Sequence, residues 1–173
     1  MAFGNKTVGP VLPAGALSLA TAVQHFSLGQ RISEGGIDYI YCYNGGAASI
    51  TQGKGAFVSP ANYSSQMTVA VSNAASQSGM DRFVGVAHNV AIPASEYGFV
   101  ATRGPVLIAL DASEVSMASA DRIVPGVDGG FVKRAESVDT AVTAALGEIG
   151  HCLNSCVTTV GTGKAYIKSP LYG

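Results

Sequence analysis

The chain predicts a mainly β protein: a small β-barrel or sandwich of short antiparallel strands, at most one or two short helices, and an N-terminal arm. Three observations carry this expectation. Short apolar runs such as "IDYIYCY", "RFVGVAH" and "PVLIAL" recur along the sequence. Each is bounded by Gly, Ser, Asn or Pro, the residues that break strands and build turns. A sustained helical period occurs in one stretch alone. The expected organisation is an arm or extension over 1–28 and a single β-rich domain over 29–173. A length of 173 residues suits that plan, and such a chain buries roughly 70% of the surface it exposes when unfolded.

The elements follow in order. Residues 1–29 open with prolines and glycines, then "ALSLATAVQHFSLG". Leu17, Ala20, Val23 and Phe26 fit one helical face with Ser18 near its start; an extended arm laid on a neighbour fits equally well. "IDYIYCY", 37–43, reads as a strand with Tyr39, Tyr41 and Tyr43 on one face. That face suits an interface, because tyrosine is apolar with a wet tip, or an ordinary half-exposed strand. "NGG" supplies a turn, and "GKGAFVS" begins the next strand. "MTVAVSN", "RFVGVAH", "YGFVATRG" and "PVLIAL" read as four more strands, and "GFVKRA" as another. "DASEVSMASADRIVPGVDGG" reads as a loop-rich connection. Over "SVDTAVTAALGEI" the apolar residues Val138, Ala141, Val142, Ala145, Leu146 and Ile149 follow helical spacing, with Ser137 as cap. A strand pair competes there, because Val and Thr are abundant and Gly147 weakens a helix. "GKAYIKSPLYG" reads as a closing strand with a tail.

Composition narrows the partners. Hydrophobic residues make up 47% of the chain and charged residues 12%, about half the usual charged share. So little charge points to an oligomer or assembly subunit whose surface is covered, although the plentiful Ser, Thr, Asn and Gln also make a surface polar. The net charge is −1 and there is no basic run, which argues against nucleic acid as a partner. The opening residues lack the basic region and apolar core of a secretory signal. No apolar run approaches the ~20 residues of a membrane span. The expected site of synthesis is the cytosol, with no membrane partner.

Motifs for chemistry are missing where chemistry would need them. There is no G-x-S-x-G elbow. "GTGK", Gly161 to Lys164, lacks the earlier glycine and the following Ser or Thr of a phosphate loop, and reads as a turn. His25, His88 and His151 stand in no metal-binding spacing. His88 and Glu96 could face each other across a hairpin as base and orienter, but no nucleophile accompanies them. Asp38, Asp111, Asp121 and Asp128 lie near turns, where Asp bonds to local backbone. Cys42, Cys152 and Cys156 are an odd number of thiols without a C-x2-C pair, which suggests neither disulfides nor zinc. The expectation is no cofactor, no metal and no catalysis.

A weak internal repeat is visible. Laying Val84–Pro105 over Ile149–Pro170 pairs Gly85 with Gly150, Asn89 with Asn154, Gly98 with Gly163 and Pro105 with Pro170. It implies one β-hairpin unit used twice and ends any helix near Gly147.

"FVGVAHNVAIPASEYGFVATRGPVLIAL", "ASADRIVPGVDGGFVKRA" and "ALGEIGHCLNSCVTTVGTGKAYIKS" resemble the small capsid decoration (cement) proteins of tailed bacteriophages. So does the opening "QRISEGGIDYIYCYNGGAASITQGKGAFV". The likeness covers roughly 29–168 and rests on glycine, apolar and turn positions. Ala120-Asp121 stands where the family carries Gly-Asp, Cys152 and Cys156 are departures, and residues 1–28 have no counterpart.

The resemblance implies a virion protein on the capsid exterior, made in the host cytoplasm. It would clamp adjacent major capsid proteins as a homo-oligomer, with a trimer favoured and a dimer possible. The expected subunit or capsid contacts are Phe3, Val8 and Leu12 of the arm, Tyr39, Tyr41 and Tyr43 of the strand, and Glu96 and Tyr97 of "IPASEYG". A second reading is a head fibre or tail protein that binds a host receptor or glycan, with the tyrosines as stacking platforms. A third is a thiol enzyme using Cys152 or Cys156 with His151.

Overall fold

In a β-strand, successive side chains point to opposite faces, and the strand Ile37–Asn44 shows what that does here. Ile40 and Cys42 turn into one apolar cluster, while Tyr39 and Tyr41 turn into another. The structure, a computed structural model, describes residues 15–58, 68–70, 83–112, 114, 116–126, 129–133, 149–157 and 162–170. It is mainly β, as its sequence predicts. The strands are β1 (Arg31–Glu34), β2 (Ile37–Asn44), β3 (Gly55–Val58), β4 (Thr68–Ala70), β5 (Phe83–Val86) and β6 (Tyr97–Ala109). They continue with β7 (Ser116–Met117), β8 (Arg122–Pro125), β9 (Phe131–Lys133), β10 (Gly150–Cys152), β11 (Cys156–Val157) and β12 (Thr162–Lys168).

The order β2-β4-β3-β5-β6 closes on itself, because β2 also pairs with β6, giving a five-stranded barrel. β2 and β4 run parallel, and the other neighbours run antiparallel. Closure removes the unpaired edges that an open sheet of this size would present. Ile40, Cys42, Ala56, Val58, Val84 and Val100 fill the inside. Ile50 and Ile92 exchange backbone hydrogen bonds at 2.9 Å in both directions and join the same cluster.

β6 is the longest strand, at 13 residues. Its first half belongs to the barrel; its second half pairs with β12, from Arg103↔Lys168 to Ala109↔Thr162. The sheet continues β12-β10-β8-β9. β9 then returns to the end of β6 through the parallel bridge Leu110↔Phe131 and the Asp111 N–H to Phe131 C=O bond of 3.0 Å. A second ring of strands is thus built on the same β6, around Ile108, Ile123, Phe131, Ile149, Ala165 and Ile167. The change of partner falls at Arg103, which pairs with both Asp38 and Lys168. Gly104 follows at φ +113°, and a Cβ there would lie 2.6 Å from the Gly36 carbonyl oxygen. Only glycine meets both demands without strain.

The sequence repeat reappears as geometry. The offset that takes Gly85 to Gly150 also takes Val86↔Ala101 to His151↔Tyr166, and both pairs are antiparallel partners. A Cβ on Gly85 would collide with the Ala101 carbonyl, and one on Gly150 with the Tyr166 carbonyl. The same backbone approach is used twice, at equivalent places.

Several expectations are corrected. "YGFVATRG" and "PVLIAL" form one strand, because Gly104 bends the chain without ending it. "RIV" is strand β8, held by β9 and β10. Thr162–Lys164 of "GTGK" lies in β12. Among the described residues before β1, helix is limited to a 3-10 turn at Ala16–Ser18. Val23 is 62% exposed while Phe26 packs on the core, so Leu17, Ala20, Val23 and Phe26 do not form one buried helical face. The helical pattern over 137–149 lies outside the described residues except for Ile149.

Gly85→Ala and Gly150→Ala should each lower stability by about 2–4 kcal/mol, because a backbone carbonyl cannot give way as a side chain can. Urea-unfolding midpoints check this. A change below ~0.5 kcal/mol at either position would refute the close approach.

Candidate functional site

The site begins with the outer face of β2 and the first half of β6. Tyr39, Tyr41 and Tyr43 lie opposite Ala101, Phe99 and Tyr97. The rings collect: Tyr41–Phe99 centroids are 4.9 Å apart, Tyr43–Tyr97 4.8 Å, and Tyr41–Tyr97 6.0 Å and nearly parallel. Residues 21–30 lie across this wall. Thr21 and Tyr97 exchange backbone hydrogen bonds of 3.1 and 2.8 Å. Phe26 packs on Tyr41 at 5.2 Å and on Phe99 at 5.3 Å. The His25 N–H donates to the Tyr41 hydroxyl at 3.2 Å.

Tyr39 and Tyr41 are therefore 4% and 2% exposed. Within the chain these two rings offer almost no surface to another subunit or to a glycan. Strand alternation correctly assigns the tyrosines to one face; the cover on Tyr41 is the chain's own preceding segment, and the Tyr39 hydroxyl meets Asn89. Burial raises both phenols above their ordinary range, offset in part by Asn89 at Tyr39 and by the His25 N–H at Tyr41.

Tyr43 and Tyr97 remain half-buried at the rim of the wall, with Glu96 beside them. Glu96 sits in the turn after Pro93, where Ser95 takes φ +62°. Asn44 organises this corner. It is fully buried, and its amide donates to the carbonyls of Ala48, Ile92 and Pro93 at 2.9, 2.9 and 3.1 Å. Its side-chain oxygen accepts from the Gly46 N–H at 3.0 Å. "NGG" signals the turn, but nothing local in the sequence signals the bonds to Ile92 and Pro93. Phe3, Val8 and Leu12 lie outside the described residues.

The groups considered for chemistry are dispersed. The His88 ring accepts the Leu107 N–H at Nδ1, at 2.9 Å, while the Glu96 carbonyl accepts the Asn44 N–H. The two side chains do not form a pair. Cys42 faces the barrel interior, donates to the Gly98 carbonyl at 3.5 Å, and is pushed by burial to about 12. Cys152 is buried against the Met117 sulfur at 3.3 Å, whereas His151 is exposed. Adjacent strand residues point to opposite faces, so the two are poorly placed to act together. Asp121 accepts the Ala118 N–H at 2.8 Å, a local turn bond. Among the described residues no group of three His, Cys, Asp or Glu could hold a metal, and no helix is long and apolar enough to cross a membrane.

Exposed large apolar side chains lie elsewhere in the chain. Leu19, Val23 and Leu28 are 51%, 62% and 36% exposed; Val23 and Leu28 are on the segment that covers the tyrosine wall, and Leu19 just precedes it. Leu153, at 42%, is the other one among the described residues.

Two titrations test this geometry. Tyr39 and Tyr41 should ionise above pH 10. A phenol raised by folding stabilises the fold below its unfolded value, and that contribution is lost as pH rises through the folded value. Phe26→Ala should bring Tyr41 down, visible in alkaline absorbance; an unchanged profile would contradict the cover. His88 is lowered from 6.5 by burial. Its contribution is present above pH 6.5 and lost as pH falls through the folded value. The melting temperature should therefore fall from pH 7 to 5, and His88→Gln should flatten that dependence relative to the parent.

No protein-family model matches the chain, and no curated protein matches it. Among solved structures, the N-terminal base of the head fibre gp8.5 of bacteriophage phi29 aligns at 12% identity. The alignment covers 76% of this chain and 95% of that one, with a TM-score of 0.48. At that level of likeness, neither the fold assignment nor a function rests on it.

Proposed function

We propose that the chain is a structural virion protein that binds the outer surface of a phage capsid and stabilises contacts between major capsid protein subunits. The observation that carries this reading is the exposed apolar series Leu19, Val23 and Leu28 on and just before one anchored segment. Large apolar side chains left exposed along one short stretch of chain favour a protein partner. The stretch is held in place by Thr21 on Tyr97 and by Phe26 on the tyrosine wall, so little ordering entropy is left to lose on binding. The resemblance over roughly 29–168 supplies the partner class. A charged fraction of 12% suits a subunit that packs closely with many neighbours. A homo-oligomer belongs to this reading, with a trimer favoured and a dimer possible.

A second reading rests on Tyr43 and Tyr97. Two half-buried rings 4.8 Å apart beside Glu96 make a small aromatic rim suited to a sugar face. The chain would then be a head fibre or tail component that binds a receptor.

Co-sedimentation with purified capsids that lack this protein separates the two. Leu19→Asp/Val23→Asp should weaken capsid binding at least ~10-fold, about 1.4 kcal/mol, with an unchanged melting temperature. A parent chain that binds no capsid would sink the first reading. Glycan binding abolished by Tyr97→Ala would favour the second.

A further inference from the structure

The two halves of β6 make two equivalent walls, and only the first is covered by the chain's own segment 21–30 as described above. The pairs Tyr39↔Ala101, Tyr41↔Phe99 and Tyr43↔Tyr97 correspond in register to Pro105↔Tyr166, Leu107↔Lys164 and Ala109↔Thr162. On the second wall Pro105 and Lys164 are exposed, and Leu107, Ala109, Thr162 and Tyr166 are half-buried. The chemistry of this wall is different. Lys164 takes the place of Phe99, and Arg103 lies directly opposite Lys168, both exposed. Like charges directly opposite on one face of a sheet repel. The Arg103 Nε donates to the Tyr166 hydroxyl at 3.4 Å, and the Tyr166 ring stacks on the exposed His151 at 5.8 Å. Among the described residues Asp38 is the acid that acts on Arg103. It lies opposite Arg103 and accepts the Ser33 hydroxyl.

We infer that the outer face of β6 and β12, from Arg103 to Ala109 and Thr162 to Lys168, is a docking site for an extended, carboxylate-bearing segment of a partner protein. The first wall shows the form of the occupant: a chain crossing the strands and setting an apolar side chain on the central pair. On the second wall the central pair is Leu107 and Lys164. An apolar residue would sit on Leu107, with flanking carboxylates meeting Lys164, Lys168 and Arg103. Charge complementarity relieves the Arg103–Lys168 repulsion. A protein segment is favoured over nucleic acid, because the chain carries a net charge of −1 and the cations are few and set among apolar side chains. The inference rests on the capsid-binding reading only for the identity of the partner.

The test uses the full chain and a fluorescent synthetic peptide alternating glutamate with leucine, read by anisotropy at low salt. The peptide should bind at least ~10-fold more tightly than its glutamine analogue, about 1.4 kcal/mol. Lys164→Glu/Lys168→Glu should abolish that preference while leaving the melting temperature unchanged. Equal affinity for the two peptides would overturn the inference. So would tighter binding of a single-stranded oligonucleotide of equal charge, or a gain in peptide affinity on deleting residues 1–14, which would make the chain itself the occupant. A self-association broken by the same double variant would point to a second copy and overturn it too. Capsid co-sedimentation of the double variant is a separate arm. A parent that binds capsids while the variant binds equally refutes this site and spares the capsid reading. A parent that binds no capsid refutes the capsid reading and leaves the peptide result to decide the site.

Discussion

Everything in this molecule depends on one strand being shared. β6 gives its first half to a closed five-stranded barrel and its second half to a ring built on β12, β10, β8 and β9. The exchange happens within one residue, at Arg103, and Gly104 makes it possible by turning the backbone where a side chain would strike Gly36. Each ring also needs a second strand to come close to the shared sheet, at Gly85 and at Gly150. Ties between the rings reinforce the junction. The Ala109 N–H donates to the Gly53 carbonyl and the Gly55 N–H to the Gly129 carbonyl, each at 2.8 Å. Ser169 is buried and reaches back to Phe83 and Thr102.

Sharing a strand dictates two walls, and the sequence makes them unlike. Aromatic residues at Tyr41, Phe99 and Tyr97 demand a cover, because so large an apolar face is costly in water. The chain supplies that cover with Phe26. Lysine at 164, where the first wall has Phe99, tolerates water and needs no such cover. One repeated backbone thus gives one surface closed from within and one open to the outside. The thiols follow the same division of inside and outside. Cys42 is held in the barrel interior and Cys152 on Met117, so both act as small apolar side chains.

How much of this was legible follows from which signals are local. Period-two alternation identified β2 and placed the three tyrosines on one face, because the pleat alone fixes that. The β class was legible from turn residues between short apolar runs. The pairing of Gly85 with Gly150 was visible as a faint repeat, since a close backbone approach leaves glycine as its mark. What was not legible depends on distant chain. Burial of Tyr41 depends on residues 21–30 folding back. The continuity of β6 through Gly104-Pro105 depends on β12 arriving as β2 leaves, and sequence alone reads that dipeptide as a stop. His88 resembled a possible base, whereas its Nδ1 completes the backbone bonding of Leu107, a partner set by tertiary structure.

The shared strand also has a mechanical meaning. Two separate domains meeting at an interface can hinge or slide when loaded. Here a pull on one ring reaches the other along a continuous covalent backbone, flanked on both sides by hydrogen bonds. Those bonds lie across the direction of pull, so the load is spread in shear over many at once instead of unzipping them in turn. The first wall's anchored segment and the second wall's open face are therefore held at a fixed spacing, like two jaws on one bar.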